Sequence, residues 1–279
     1  MNTLDLLNIG SSKLKKKNIS SYNLDSELLL SKVLNKSREE VLVNPDKIID
    51  PKNIIKFNNL IKRRLMNEPI AYIFEEKEFW SKKFKVDKNT LIPRPETELM
   101  VEKLVKIFKG KNISILDIGT GCGCILISLL LELKHSRGVG IDISRKAISI
   151  ARKNLKKFSK KMSIKFYVKE INQIFNQKFD LVVSNPPYIS RIHLRNLQQD
   201  VRDYEPKIAL DGGNDGLDLV KKVIYKAKEI LKVDGLLALE LDNKQYLKVS
   251  KILIKEKFIV KYYIKDYREN IRCIIAKLT

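Results

Sequence analysis

The chain has 279 residues, 44% of them hydrophobic, and a formal charge of +22. That is enough apolar material for one large domain, or for a main domain with a smaller companion. A membrane-spanning protein is not expected, since the longest largely apolar stretch, Ile125 to Leu131 with Ser128 inside it, falls far short of the roughly 18–20 residues of a span.

Residues 1–75 read as a small helical domain. Ile54, Phe57, Ile61 and Leu65 recur on one helical face, Leu28, Leu29 and Leu30 sit in another helix, and Pro45 and Pro51 mark breaks. Residues 76–95 form a connector. Phe79-Trp80 and Phe84-Lys85-Val86 flank Ser81-Lys82-Lys83 as a β-hairpin, with Asp87-Lys88-Asn89 as a further turn. In Ile92-Pro93-Arg94-Pro95-Glu96-Thr97-Glu98, Pro95 suits the start of a helix running to about Phe108.

From residue 113 strands and helices alternate. Strands are expected over 113–118, 138–143, 164–168, 179–184 and 235–241. Helices are expected over 124–133, from a cap at Ser144 to about Phe158, over 219–231 and over 246–257. Residues 258–264 and 271–276 close the chain as an antiparallel pair. Such alternation gives an α/β fold: a mostly parallel sheet, helices on both faces and a C-terminal antiparallel hairpin. Ligands bind such sheets at the carboxyl ends of their strands.

At the first of those ends stands Asp117-Ile118-Gly119-Thr120-Gly121-Cys122-Gly123-Cys124. A dinucleotide fingerprint would need glycine at position 124, and no Lys-Ser/Thr follows as in a P-loop. The spacing here is G-x-G-x-G. Asp142, ending the second strand, can accept both ribose hydroxyls of a nucleoside. The combination suits a nucleoside without pyrophosphate, which points to S-adenosylmethionine. Glu170 or Ile171, ending the third strand, is placed to touch the adenine.

Ser184-Asn185-Pro186-Pro187-Tyr188 follows the fourth strand at the same edge. Two prolines stiffen the loop, so the Asn185 side chain and the Pro186 carbonyl hold fixed positions. Both oxygens are acceptors and match the two N–H groups of a planar –NH2, while Tyr188 offers an aromatic face. An amide nitrogen is a poor nucleophile, and two acceptors on its hydrogens draw charge onto it as it attacks.

An Asn-Pro-Pro-Tyr loop after G-x-G-x-G resembles amino-methyltransferases in general. The segments Ile92–Glu98, Asp200-Val201-Arg202-Asp203-Tyr204-Glu205-Pro206 with Ala209-Leu210, Glu68-Pro69-Ile70-Ala71-Tyr72, and Phe79-Trp80 look like the protein-(glutamine-N5) methyltransferases of peptide chain release factors, the HemK/PrmC-like family. The resemblance runs from about residue 60 to the C-terminus, and the helical N-terminal domain is similar in layout. It implies a class I S-adenosylmethionine methyltransferase with a seven-stranded sheet, and as substrate the glutamine in the Gly-Gly-Gln loop of release factors. It implies that Asp117, Gly119, Thr120, Gly121, Cys122, Gly123, Asp142, Glu170 and Asn185 meet the cofactor. Asn185, Pro186, Pro187 and Tyr188 would hold the glutamine, with Asn185, Pro186 and Tyr188 as the catalytic set. Arg94 would line the substrate cleft, and residues 1–75 would serve as a substrate-binding domain. The chain departs from the family at Cys122 and Cys124, at Lys169-Glu170-Ile171, and at Leu239-Glu240-Leu241-Asp242-Asn243. The last lacks the usual glycine turn, so no role carries over to Glu240.

Two other functions fit parts of the pattern. A DNA or RNA adenine-N6 methyltransferase fits the charge and the Asn-Pro-Pro-Tyr loop, but no inserted target-recognition domain is visible. An inactive ribosome- or RNA-binding protein on the same fold would have no need of an intact loop and Asp142. The charge agrees with work near the ribosome and leaves direct nucleic-acid binding open, since lysine is abundant throughout. Cys122, Cys124 and Cys273 are too few and odd in number for a disulfide framework, and only His135 and His193 could add imidazoles, so no metal is expected. The start, Met1-Asn2-Thr3-Leu4-Asp5, has no basic segment before an apolar one, so the expected compartment is the cytoplasm.

Overall fold

The structure, a computed structural model, describes residues 1–158, 162–173 and 177–279. It divides into two units, one of residues 1–76 with 198–204, the other of residues 77–197 with 205–279.

The first unit contains α1 (Thr3–Lys16), α2 (Tyr22–Leu34), α3 (Arg38–Leu42), α4 (Pro51–Leu65) and α5 (Ile70–Phe74), together with a helix from much later in the chain, Gln199–Tyr204. Local signals set the starts. The Asn2 side chain accepts from the Asp5 N–H, Ser37 and Glu40 form a capping box, and Asp50 caps α4 ahead of Pro51. On α4, Phe57 and Ile61 are buried among Leu6, Leu14, Leu29 and Leu30, with Ile54 and Leu65 packed at the margin. A buried ion pair, Arg64 to Asp25 at 2.7 Å, ties α4 to α2. The Tyr204 hydroxyl donates to the Met66 carbonyl at 2.9 Å, fastening the late helix to the end of α4.

A hairpin of β1 (Glu76–Phe79) and β2 (Lys82–Lys85) begins at the boundary residue Glu76 and otherwise belongs to the second unit. The turn is Trp80-Ser81, both with φ of +52°, one residue earlier than the sequence suggests. Two-residue turns of this hand normally rest on Asn-Gly or Asp-Gly, so the sequence carries no local signal. Side-chain bonds hold the turn instead: Trp80 N–H donates to Glu98 (3.0 Å) and its indole N–H to Glu132 (2.9 Å).

Then follow α6 (Pro95–Phe108), β3 (Ser114–Ile118), α7 (Cys124–Glu132), β4 (Arg137–Asp142), α8 (Arg145–Phe158), β5 (Ile164–Val168) and β6 (Phe179–Ser184). The Gln199–Tyr204 helix is α9, after which come α10 (Asp218–Ile230), β7 (Leu231–Glu240), α11 (Tyr246–Lys255), β8 (Phe258–Lys265) and β9 (Ile271–Leu278). Ser144 caps α8 through a bond from the Ala147 N–H, 3.1 Å. The strand β7 starts earlier than expected because it continues through a kink at Asp234 (φ +65°), and its pairing with β6 shifts register there.

The sheet order is β5-β4-β3-β6-β7-β9-β8, parallel except for β9, which is antiparallel to both neighbours. All five residues of β3 are buried. The chain runs outward from β3 through β4 to β5, then returns to β6 on the other side. The carboxyl ends of β3 and β6 therefore flank the switch point where open α/β sheets bind ligands. Among the described residues no helix is long and apolar enough to cross a membrane.

Candidate functional site

A cleft of about 360 Å³ lies at those carboxyl ends, within the roughly 300–1,000 Å³ of small-molecule sites. Its wall takes Gly119–Cys122 after β3, Asp142 after β4, Lys169–Asn172 after β5, Asn185 and Pro187 after β6, and Asn89–Leu91, Pro93, Arg94 and Thr97 from the connector and α6.

The glycine turn is held from below. The N–H groups of Gly119 and Thr120 both donate to the Ile141 carbonyl at 2.9 Å, and the Thr120 hydroxyl donates to Asp117 at 2.6 Å. Gly119 and Gly121 have φ of +73° and +56°, a region disfavoured for residues with a Cβ. A Cβ on either would meet nothing within 4 Å, so both positions have open space beside them. Gly123 differs: its Cβ would come within 3.1 Å of Phe166, and its role is packing at the start of α7.

Asp142 has two tasks. Its Oδ2 accepts from Gly121 N–H (3.0 Å) and its Oδ1 from Ser144 N–H (2.8 Å), so it fixes both the turn and the entry to α8. Each carboxylate oxygen keeps a further acceptor site. Burial raises its pKa against those two bonds. Asp117 is not in the cleft wall. It lies fully buried, its Oδ1 unpartnered among the described residues, and burial pushes it up to about 7. Cys122 and Cys124 both line the wall, and Cys124 is held well above the usual thiol range by a bond with the Cys122 thiol and by burial. Both Glu170, exposed, and Ile171, buried, line the end of β5.

The Asn185 amide Nδ2 donates to the Thr97 hydroxyl at 3.4 Å. Thr97 in turn donates to Glu240 Oε2 at 2.5 Å, and the Tyr188 hydroxyl stands 3.5 Å from Glu240 Oε1. Pro186 is buried, and Tyr188 is half-buried outside the cleft wall, its hydroxyl proton held more tightly because of burial and the nearby Glu240. Sequence reasoning missed Thr97 and Glu240. A glutamate ending a strand beside the nucleotide-type strands was the only signal, and nothing local ties it to position 97.

Residues 185–188 are clamped from behind as well as stiffened by proline. Gln245 Nε2 donates to the Tyr188 carbonyl (2.9 Å), and the Gly212 N–H donates to the Ile189 carbonyl (2.8 Å). A Cβ on Gly216 would stand 2.3 Å from the Tyr188 carbonyl, so only glycine lets the two backbones approach. Arg94 donates to Glu205 at 2.5 Å, and the same buried carboxylate accepts the Ile92 N–H at 3.1 Å. Two of the sequence segments singled out above thus meet at one ion pair beside the cleft.

The chain matches the family model described as the PrmC N-terminal domain over residues 5–74, and that of the methyltransferase small domain over residues 94–201. It is 39% identical over 272 residues to the release factor glutamine methyltransferase of Buchnera aphidicola, covering 97% of each chain. It is 38% identical over 228 residues to the enzyme of the same name from Geobacter sulfurreducens, covering 82% of this chain and 80% of that one. The bifunctional methyltransferase of Rickettsia prowazekii is 35% identical, and there this chain spans only 56% of the relative. A methyltransferase crystal structure from Pyrococcus furiosus shares the fold, with a TM-score of 0.54 at 20% identity over 79% of this chain and 98% of that one. With such identity over nearly the whole of both chains, this protein belongs to the release factor glutamine methyltransferase family.

Proposed function

We propose that this protein transfers a methyl group from S-adenosylmethionine to the side-chain amide nitrogen, N5, of the glutamine in the Gly-Gly-Gln motif of peptide chain release factors, modulating translation termination. The observation that carries the reading is the setting of Asn185. It lies in the cleft wall close to the glycine turn, and with Nδ2 given to Thr97, its Oδ1 is the amide atom left to accept from a substrate –NH2.

The residues present suit the cofactor. The open space at Gly119 and Gly121 admits a ligand against the turn, and the spare acceptor sites of Asp142 suit ribose hydroxyls. Thr120 and Cys122 complete that wall, with Gly123 packed behind it and Asp117 bracing the turn through Thr120, while Glu170 or Ile171 borders the adenine. When bound, S-adenosylmethionine supplies an electrophilic methyl group on a sulfonium.

The protein supplies alignment and electrostatics. Asn185 Oδ1 and the Pro186 carbonyl accept the two amide hydrogens, with Pro187 and Arg94 lining the same cleft. These acceptors stabilise the positive charge that develops on nitrogen as it loses planarity. Alignment of the reacting atoms removes much of the entropic barrier, roughly 7–11 kcal/mol in favourable cases. No strong base is needed before attack. We assign the helical unit, which matches the PrmC N-terminal domain, to holding the body of the release factor. The protein works in the cytoplasm, on release factors close to the ribosome.

Labelled S-adenosylmethionine incubated with release factor, with a Gln-to-Ala release factor, and with plasmid DNA tests the reading. Label should enter only the first. Label on adenine N6 would overturn it.

A further inference from the structure

Two buried side chains stand next to the Asn-Pro-Pro-Tyr loop: Thr97 on α6, 3% exposed, and Glu240 at the end of β7, 4% exposed. Asn185 donates to Thr97, Thr97 donates to Glu240 Oε2, and the Tyr188 hydroxyl approaches Glu240 Oε1. One carboxylate therefore holds both ends of the loop. We propose that Glu240 is a positioning residue which, through Thr97, sets which end of the Asn185 amide faces the cleft. The inference rests on the reading of Asn185 given above.

The argument is a count of protons. A hydroxyl has one proton to give. An ionised Glu240 can only accept, so the Thr97 proton is committed to it, and Thr97 offers Asn185 nothing but lone pairs. Asn185 must then turn its NH2 toward Thr97 and its oxygen toward the cleft, where it can accept from a substrate –NH2. A protonated Glu240 can donate to Thr97 instead. The Thr97 proton is then free to point at Asn185, which suits the opposite amide orientation. In that orientation the Asn185 NH2 meets the substrate NH2, donor against donor, and the substrate is refused.

The surroundings place this change in the neutral range. Burial raises Glu240 to about 7, with Glu96 on α6 adding to it, while bonds from Thr97 and Asn185 and the charge of Arg94 oppose the shift. Cys273 on β9 and Tyr188 also face this carboxylate, and burial holds both above their ordinary values, so neither titrates there. Arg272 and Asp242 bear on the Tyr188 end of the network. The sign follows: methyl transfer is slow where Glu240 holds its proton and rises as pH passes about 7.

The test is single-turnover methyl transfer to release factor at saturating S-adenosylmethionine, followed across the neutral range. The wild-type rate should climb about tenfold per pH unit below the pKa and then level. Glu240→Gln, nearly isosteric and unable to ionise, should be at least about tenfold slower with the rising limb gone, and cofactor affinity should be unchanged. Thr97→Val should behave alike and Thr97→Ser should recover the wild-type profile, so the pair carries the test if Glu240→Gln fails to fold. Asn185→Ala should lose about 10²–10³-fold in kcat, by analogy with deleting one preorganised donor. A wild-type rate in Asn185→Ala would overturn the reading of the loop itself. A slow Asn185→Ala beside a Glu240→Gln that keeps the wild-type pH profile would overturn only the role of Glu240.

Discussion

Replacing Asp142 with alanine separates two consequences that one carboxylate combines. In the folded protein it accepts from Gly121 N–H at 3.0 Å and from Ser144 N–H at 2.8 Å. Its loss leaves both donors without that partner, and a buried unsatisfied group costs about 1–3 kcal/mol. The thermal midpoint of the ligand-free protein should therefore fall. The bonds proposed from ribose hydroxyls to the charged oxygens go as well, and such bonds contribute about 1.5–3 kcal/mol. The dissociation constant for S-adenosylmethionine should rise by roughly 10- to 150-fold, read by calorimetric titration. Asp142→Asn sharpens the test, since an amide offers one acceptor and one donor to two N–H groups and cannot satisfy both. Burial raises the Asp142 pKa, so wild-type affinity should weaken on acidification sooner than for an ordinary aspartate, and Asp142→Asn should lose that dependence. An affinity within about threefold of wild type in Asp142→Ala, under 1 kcal/mol, would refute the assignment of this carboxylate to the cofactor.

Two further outcomes follow from the same turn and its supports. Gly121→Val should abolish cofactor binding, because a Cβ there has no protein atom within 4 Å and points the branched side chain into the open space beside a turn at φ +56°; titration showing wild-type affinity would remove the turn from the site. Asp117 and Glu240 are both raised to about 7 from 3.8 and 4.5, so the folded state holds their protons more tightly than the unfolded chain does. The stability they contribute is complete below the unfolded values and is lost as pH rises toward about 7. The ligand-free unfolding midpoint should accordingly be lower at about pH 8 than at about pH 5, and Asp117→Asn should narrow the gap. A gap unchanged in that variant would sink the assignment to Asp117.

Much of the catalytic unit is readable in sequence because its signals are local. The strands β5 and β6 run over 164–168 and 179–184, as their apolar runs suggest, and Ser144 caps the helix it precedes. Strand and helix alternation brings Gly119–Gly123, Asp142 and Asn185 to one edge, and the cleft wall contains residues of all three segments. What stayed hidden depends on partners far along the chain. The Trp80-Ser81 turn is set by Glu98 and Glu132 rather than by turn residues. Residues 189–217 have no clear periodicity, yet they clamp the Asn-Pro-Pro-Tyr loop through Gly212 and Gly216. Asp117 looked like part of the cofactor contact but is buried outside the wall, and Glu240 looked idle but sits at the centre of the buried network. The relatives do not favour the adenine-N6 or inactive-binder readings.

The late helix Gln199–Tyr204 has a consequence for biosynthesis. It belongs to the unit otherwise made of residues 1–76, and Tyr204 is fastened to Met66. About 130 residues separate the two parts, and ribosomes elongate at roughly 5–20 residues per second, so the first unit waits roughly 6–26 s for its last helix. During that interval the end of α4 emerges without its eventual cover. The order in which this chain matures is therefore interleaved: the early helices can collapse first but are finished only after most of the parallel sheet has been translated.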